Sequence, residues 1–312
     1  MQQAMLQCNG VHTHIITEGR WVEEGLSPTG SKDLVFVIPG NPGIPDFYVG
    51  FIKALKSRLP PETPVWTIGH AGHVQPPKHL RYLSNGDCKE PVYSLKDQLE
   101  HKIAFIEQYI PKDAKLHLVG HSIGCWMILQ LLKNEDFAKR VVKCYLLFPT
   151  IERMAETPNG RFLTRIVLRI AALLVFLCWV FSFFPMILRS ILIRIFGGYF
   201  AGITSKSLKP VHQLLDPPVL DRVFKLADDE MIKVQELDYE IIEKYSNKLW
   251  LYYGATDGWT PTHFYHQLKE KYQDINAEIC QRGFRHAFVL TDEIEVGKMV
   301  GDNISQTISN NS

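Results

Sequence analysis

The feature that most constrains this chain is the pentapeptide Gly120-His121-Ser122-Ile123-Gly124, which lies between a short apolar run and an apolar helical pattern. That context predicts a strand, a very tight turn and a helix, with the serine at the apex of the turn. Glycines are needed at both ends because the strand and helix backbones come too close for side chains. A serine in an ordinary loop is the alternative, but the flanking strand and helix favour an exposed nucleophile.

Apolar runs alternate with helical patterns on both sides of this turn, which is typical of a mostly parallel sheet with helices on both faces. Predicted strands cover residues 34–38, 64–68, 116–119, 141–148, 248–254 and 277–280, with a strand pair around a Gly19 turn within residues 10–24. Predicted helices cover residues 47–59, 95–109, the stretch after Ser122, 262–271 and the chain after His286. Residues 74–93, rich in proline and charge, are predicted to form a long connection.

The regular alternation stops after residue 149 and resumes near residue 246. The sequence therefore predicts one α/β core, built from residues 1–149 and 246–312, with a helical cap inserted at residues 150–245. A polar, amphipathic second half of this insertion, residues 205–247, is typical of a soluble cap.

A serine hydroxyl becomes a nucleophile only when a base takes its proton and a third group orients that base. Asp257 and His286 each follow a predicted strand, at the sheet edge where parallel sheets place their ligand sites. The chain order Ser122, Asp257, His286 is the order of an α/β-hydrolase. Glu152, which follows the strand at 141–148, is an alternative acid.

Two backbone N–H groups are expected to stabilise the oxyanion that forms on a substrate. One is that of Ile123, directly after the serine. The other is that of Asn41 in the loop after residue 38, because Pro42 has no N–H group. His70 and His73, in a loop at the same sheet edge, are expected to line an acyl pocket. No histidine or cysteine spacing indicates a metal site, and no cofactor is expected.

Composition narrows the partners and the compartment. A formal net charge of +1 over 312 residues gives no general attraction to nucleic acid. Six scattered cysteines, and an N-terminus without a basic segment followed by an apolar one, favour a reduced, intracellular chain without a secretory signal.

The insertion contains 19 residues without a charge, at positions 170–188. Pro185 interrupts this run and leaves 15 residues before it, fewer than the ~20 that a spanning helix needs. Basic residues flank the run on both sides, which suits two ends near anionic headgroups on one face. They are Arg161, Arg165 and Arg169 before it, and Arg189 and Arg194 after it.

A single membrane crossing would also separate Ser122 from Asp257 and His286, so that no catalytic group could assemble. The sequence therefore predicts a membrane-embedded hairpin, about residues 163–200, that enters and leaves by the same face. The apolar residues expected to contact lipid, with the proline between them, are Leu174, Phe176, Trp179, Phe183 and Pro185. A buried helical cap that touches no membrane is the alternative.

Five segments resemble motifs of the lipid droplet-associated hydrolase family: residues 38–43, 69–73, 120–124, 147–154 and 252–254. The resemblance covers nearly the whole chain. It implies the α/β-hydrolase fold and a Ser-Asp-His triad at Ser122, Asp257 and His286. It also implies residence at the lipid-droplet monolayer and the endoplasmic reticulum membrane, and neutral lipid or sterol esters as substrates. The basic residues on both sides of the apolar run predict that its two ends lie on the cytosolic face. The insertion resembles the family's droplet-targeting region.

Two functions follow from these observations. One is a serine ester hydrolase of the lipid-droplet surface. The other is a hydrolase-fold protein that binds lipid or partners on the droplet and influences lipid storage with little or no turnover.

Overall fold

The computed structural model describes residues 1–28, 30–81 and 93–311. Most of the predicted long connection, residues 82–92 of 74–93, lies outside the described residues, and so does Cys88. The other five cysteines are buried free thiols.

Within the described residues, eight strands form one sheet in the order β1-β2-β4-β3-β5-β6-β7-β8. The strands are β1 (Gln2–Cys8), β2 (Val11–Glu18), β3 (Asp33–Ile38), β4 (Val65–Ile68), β5 (Lys115–His121), β6 (Val141–Leu147), β7 (Leu249–Tyr253) and β8 (Ala277–Ile279). Strand β4 and the strands that follow it in the sheet, β3, β5, β6, β7 and β8, are parallel to their neighbours. Strands β1 and β2 are antiparallel to each other, and β2 is antiparallel to β4.

The helices connect these strands and fill the insertion. They are α1 (Val49–Lys56), α2 (Lys78–Arg81), α3 (Leu95–Tyr109), α4 (Ile123–Leu131), α5 (Glu135–Arg140), α6 (Pro158–Phe162), α7 (Ala171–Ser182), α8 (Met186–Leu192), α9 (Gly198–Ala201), α10 (Leu208–Leu214), α11 (Pro217–Lys233), α12 (Tyr239–Tyr245), α13 (Thr262–Lys271), α14 (Phe288–Thr291) and α15 (Glu293–Asn310).

The central strands are buried on both faces, which explains why they are continuous apolar runs in the sequence. Strand β3 shows this directly: Leu34, Phe36 and Ile38 pack into one hydrophobic core, and Val35 and Val37 pack into a second. Because successive side chains of a strand point to opposite faces, the two cores lie on opposite sides of the sheet.

The N-terminal strand pair differs from the predicted one. The hairpin turn is at Asn9 and Gly10, with φ of 48° and 74°, and not at Gly19. Asn-Gly is a favoured two-residue hairpin turn because both positions need positive φ. Gly19 instead follows the end of β2, and the next residues form a short 3-10 helix, Val22–Glu24.

The topology brings four segments to one edge of the sheet. Strand β5 lies between β3 and β6, followed by β7 and β8. Because these strands are parallel, the chain leaves β3, β5, β7 and β8 at the same edge, just before Asn41, Ser122, Asp257 and His286 respectively.

The apolar part of the insertion is a helical hairpin. Residues 158–182 form one continuous helix of 25 residues, and a second helical stretch covers residues 186–201. The turn between them includes Pro185, as its position in the apolar run predicts. We use the term apolar hairpin for residues 158–201.

The first helix of the apolar hairpin is longer than the uncharged run suggested. It begins at Pro158, so the turns that carry Arg161, Arg165 and Arg169 belong to the same helix. By length and composition alone this helix could cross a membrane, and only 6% of its apolar 18-residue stretch is buried. The prediction that this segment is too short to span was therefore wrong for the helix as a whole.

Candidate active site

Ser122 occupies a strained turn between β5 and α4. Its backbone has φ 54° and ψ −122°, a conformation that a non-glycine residue adopts only where the surrounding structure enforces it. A Cβ atom on Gly120 would lie 2.9 Å from Cys125 Cα, and one on Gly124 would lie 2.3 Å from the Ile38 carbonyl oxygen. The two glycines therefore let the strand and helix approach closely enough to hold the serine at the apex.

Ser122, His286 and Asp257 form a continuous hydrogen-bonded chain. The Ser122 Oγ is 2.9 Å from His286 Nε2, and His286 Nδ1 is 2.6 Å from Asp257 Oδ2. The donor at Nδ1 must be the imidazole, because an ionised carboxylate has no proton to donate. This leaves Nε2 free to accept the proton of the serine hydroxyl, which is the geometry of a general base beside a nucleophile.

Asp257 is held ionised by its neighbours. Burial acts to raise its pKa, but the charge of His286 and hydrogen bonds from His286, Trp259 and Thr260 outweigh burial and lower it. The Trp259 N–H donates to Oδ1 over 2.8 Å, and the Thr260 hydroxyl donates to Oδ2 over 2.8 Å. The aspartate thus folds back on the residues that follow it, an arrangement favoured by Asp in a turn.

The alternative acid, Glu152, lies elsewhere. Its Oε2 accepts hydrogen bonds from the Arg153 guanidinium, and His286 Nδ1 is bonded to Asp257. Burial raises the pKa of Glu152 despite the arginine. The structure therefore assigns the contact with the histidine to Asp257.

Both predicted oxyanion donors lie at the serine. Ile123 is the first residue of α4, and Gly40, next to Asn41, is so close that a Cβ there would lie 3.0 Å from Ser122 Cβ. Among the described residues, neither the N–H of Ile123 nor that of Asn41 has a hydrogen-bond acceptor. The Asn41 side chain is occupied, since its Nδ2 donates to the Val223 carbonyl over 3.1 Å.

His70 and His73 are not among the described residues that line the cavity beside the serine, contrary to the prediction that they line an acyl pocket. Both are buried behind the loop that carries Asn41. The Gly43 N–H donates to His73 Nδ1 over 3.2 Å, and a Cβ on Gly43 would lie 2.1 Å from His70 Cγ. Burial, with the nearby charges of Lys102 and Arg222, lowers the pKa of His73 to about 3. These neutral histidines support the loop from behind.

A cavity of about 850 Å³ opens above the site. Asn41, Tyr48, His121, Trp259 and His286 line the end of the cavity at the sheet. Apolar side chains from the apolar hairpin and from α10 and α11 make up most of the remaining lining; those of the hairpin include Leu174, Leu177, Phe181, Leu192, Ile193 and Phe196. A cavity of this size and polarity suits an apolar ligand.

The apolar hairpin has a second, uncovered surface. Phe176, Trp179 and Phe183, three of the residues predicted to contact lipid, are 53%, 50% and 68% exposed. Leu174, which was in the same predicted set, lines the cavity instead. The hairpin thus covers the cavity with one surface and leaves the other exposed, so it differs from the buried cap of the alternative prediction. No group of three or more metal-ligating side chains occurs in the part of the chain described here.

Comparison with known proteins shows the family of this chain. A family model described as lipid-droplet associated hydrolase matches residues 31–289. A relative from Drosophila melanogaster named lipid droplet-associated hydrolase is 43% identical over 308 residues, which is 98% of this chain and 99% of the relative. This chain belongs to the lipid-droplet associated hydrolase family. Relatives of the same name from mouse and human are 38% and 36% identical, covering 98% and 99% of this chain and 95% and 96% of theirs.

Solved structures show the fold of this family member. DBJA superposes with a TM-score of 0.64 at 13% sequence identity, covering 99% of this chain and 100% of that chain. An alpha/beta hydrolase fold protein from Burkholderia ambifaria superposes with a TM-score of 0.57 at 13% identity, covering 96% of each chain. The predicted α/β-hydrolase fold and the resemblance to the family are both confirmed.

Proposed function

We propose that this chain is a serine ester hydrolase that acts on neutral lipid or sterol esters at the surface of lipid droplets. The observation that carries the proposal is the hydrogen-bonded chain of Ser122, His286 and Asp257 at the cavity that the apolar hairpin covers. A nucleophile, a base and an orienting acid in mutual contact are what acyl transfer requires.

The reaction follows from the positions of these groups. The Ser122 Oγ attacks the ester carbonyl carbon while His286 Nε2 takes the hydroxyl proton. The N–H groups of Ile123 and Asn41 stabilise the oxyanion. The imidazolium then protonates the departing alcohol, and Asp257 stabilises its charge. Water, deprotonated by the same histidine, releases the fatty acid and restores the serine.

The substrate class rests on the cavity and on the family. Aliphatic and aromatic side chains make up most of the lining, and most of its few polar groups lie at the end near His286. Burying a long acyl chain or a sterol there removes much apolar surface from water, at about 25 cal/mol per Å². Several relatives are named lipid droplet-associated hydrolase, which supports a neutral lipid ester as the ligand.

The apolar hairpin supports the proposed location. Its outer surface exposes large apolar side chains, which in a soluble setting mark a membrane or protein contact. Ser122 precedes the hairpin and His286 follows it, yet the two are in contact. This contact supports a hairpin whose two ends lie on the same side of a membrane. We propose that it inserts from the cytosolic face into the droplet monolayer or the endoplasmic reticulum membrane without crossing.

The test is labelling of the detergent-solubilised protein with a fluorophosphonate probe, which reacts with activated serines. We expect the wild type to be labelled and Ser122→Ala to remain unlabelled. Ser190→Ala is the matched control, because Ser190 Oγ also contacts a histidine, His212 Nε2, at 2.9 Å. That variant should be labelled like the wild type.

Absence of labelling in the folded wild type would overturn the esterase proposal. The alternative is a droplet protein that binds lipid or partners with little or no turnover. It would then be favoured if expression of Ser122→Ala changed the cellular content of neutral lipid as much as expression of the wild type does. If lipid content responds to the wild type and not to Ser122→Ala, ester turnover is the function.

A further inference from the structure

Three hydrogen bonds, two of them buried and the third partly buried, connect the loop of Asn41 to the loop of His286. The Gly40 N–H donates to the Tyr48 hydroxyl oxygen over 2.8 Å. That oxygen is 2.6 Å from His121 Nδ1, and His121 Nε2 is 2.8 Å from the His286 carbonyl oxygen. The path starts one residue before a proposed oxyanion donor and ends on the backbone of the proposed base.

The two backbone groups, together with a neutral His121 ring, fix the direction of every proton in this path. The Gly40 N–H can only donate, and the His286 carbonyl can only accept. His121 must therefore carry its proton on Nε2. Burial and the charge of His286 lower the pKa of His121 to about 3, so the ring is neutral and Nδ1 is an acceptor. The Tyr48 hydroxyl then donates to Nδ1 and accepts from the glycine.

The packing around the path leaves little room for another arrangement. Tyr48 and His121 are both buried. The His121 ring makes edge contacts with Phe148 and Phe288, at 6.3 Å and 4.8 Å between ring centres. Side chains with locked rotamers and satisfied hydrogen bonds hold a site to the small tolerances that catalysis needs.

We infer that Tyr48 and His121 are positioning residues that set the oxyanion loop and the base of the proposed esterase relative to each other. This inference rests on the proposed function. Tyr48 uses the Gly40 N–H, so the next N–H of the loop, that of Asn41, is left to meet the substrate oxygen. His121 holds the backbone of His286, so the imidazole stays within reach of the Ser122 Oγ.

Tyr48→Phe is the first test, because it removes one hydroxyl and leaves the aromatic ring. A displacement of the base or of the oxyanion donor should lower kcat on a short, water-soluble p-nitrophenyl ester by about tenfold or more. KM should stay unchanged, since the lost hydroxyl points to Gly40 and His121. The rate of fluorophosphonate labelling should fall with kcat.

Tyr145→Phe is the matched control for stability. It also removes a buried tyrosine hydroxyl, one that donates to Thr307 in the C-terminal helix. Both variants should lose similar thermal stability, and only Tyr48→Phe should lose kcat. Equal kcat values for the two variants, with the wild type active, would overturn the inference.

Two substitutions of His121 separate the halves of the path. A glutamine amide can take the place of Nε2 and donate to the His286 carbonyl, whereas the shorter asparagine reaches only the position of Nδ1. We expect His121→Gln to retain more kcat than His121→Asn. If the kcat of His121→Asn were equal to or higher than that of His121→Gln, the proposal that His121 anchors the backbone of His286 would be contradicted. An unlabelled wild type would refute the proposed esterase itself, which is a different result from either.

Discussion

At the scale of single residues, the two glycines beside Ser122 have different neighbours. Gly120 faces the first turns of α4, including Cys125 and Ile128, and Gly124 faces the carbonyl oxygens of Ile38 and Pro39 at the end of β3. A Cβ added at Gly120 would lie 2.9 Å from backbone atoms of Cys125, whereas one added at Gly124 would lie only 2.3 Å from the Ile38 carbonyl oxygen, which is a much deeper overlap. Gly124 is therefore the stricter requirement.

Gly124→Ala should destabilise the protein by about 3 kcal/mol or prevent its folding, because the added Cβ overlaps the Ile38 oxygen. Denaturant unfolding followed by tryptophan fluorescence would measure the loss. Gly198→Ala is the control, since its Cβ would meet the Ile203 oxygen at an ordinary 3.5 Å. Equal stability of the two variants would show that the strand end is free to shift.

Asp257→Asn should lower kcat by ~10³-fold or more, because an amide neither fixes the tautomer of His286 nor stabilises its cation. Glu152→Gln should leave kcat close to the wild-type value, since Glu152 is bonded to Arg153. Steady-state hydrolysis of a soluble ester would measure both. Loss of kcat in the glutamine variant alone would reverse the assignment of the acid.

At the scale of elements, the apolar hairpin has two apolar sides, one that lines the cavity and one that is exposed. Leu174 and Ile193 line the cavity, whereas Phe176, Trp179 and Phe183 are exposed. A helix that is apolar all round needs an apolar partner on each side. Inside the fold that partner is the apolar lining of the cavity, and outside it is the proposed lipid surface.

Replacing Phe176, Trp179 and Phe183 together by serine should reduce binding to phospholipid-coated triacylglycerol droplets by about tenfold or more, because each half-exposed side chain loses apolar surface to bury. Flotation of the purified protein with the droplets would measure binding. Undiminished binding would show that another surface of the protein carries it.

Ile232→Ser provides the control for this experiment, because Ile232 is 54% exposed on α11, outside the hairpin. Its droplet binding should equal that of the wild type. Fluorophosphonate labelling of all three proteins in detergent would show that the site remains folded.

At the scale of the whole molecule, the cap and the core are joined by buried polar groups as well as by the cavity. Asn41 of the core donates to the Val223 carbonyl in α11, and Glu230 of the same helix is buried. Burial raises the pKa of Glu230 to about 8. The folded protein therefore keeps a proton that the unfolded chain releases near pH 4.3.

This difference makes stability depend on pH. Between about pH 4.3 and 8 the folded state binds more protons at Glu230 than the unfolded state does, so this residue lowers stability as pH rises. The free energy of unfolding of Glu230→Gln, relative to that of the wild type, should therefore rise with pH in that window by up to about 1.4 kcal/mol per pH unit. Denaturant unfolding at pH 5, 6, 7 and 8 would measure it. The exposed residue Asp228 provides the control, Asp228→Asn. If the difference in free energy of unfolding between Glu230→Gln and the wild type were as independent of pH as that of the control, the raised pKa of Glu230 would be contradicted.

Local sequence was enough for the elements whose signals are local. The helices α3 and α13 begin and end where apolar spacing and flanking residues predict, and the central strands differ by one or two residues. The first hairpin and the start of the long apolar helix were misplaced. In the first case the Asn9-Gly10 pair forms the turn, and in the second the helix continues through arginines that point to solvent.

By itself, the sequence determined the turn at Ser122, because the two glycines and the alternation of strand and helix restrict the backbone over a few residues. It also ordered the partners along the chain. Only the tertiary structure decided that His286, 164 residues away, reaches the serine, that His70 and His73 support a loop, and that His121 joins two loops. Contacts between distant residues depend on strand register and on how side chains fill the space between elements, and neither is encoded in a local pattern.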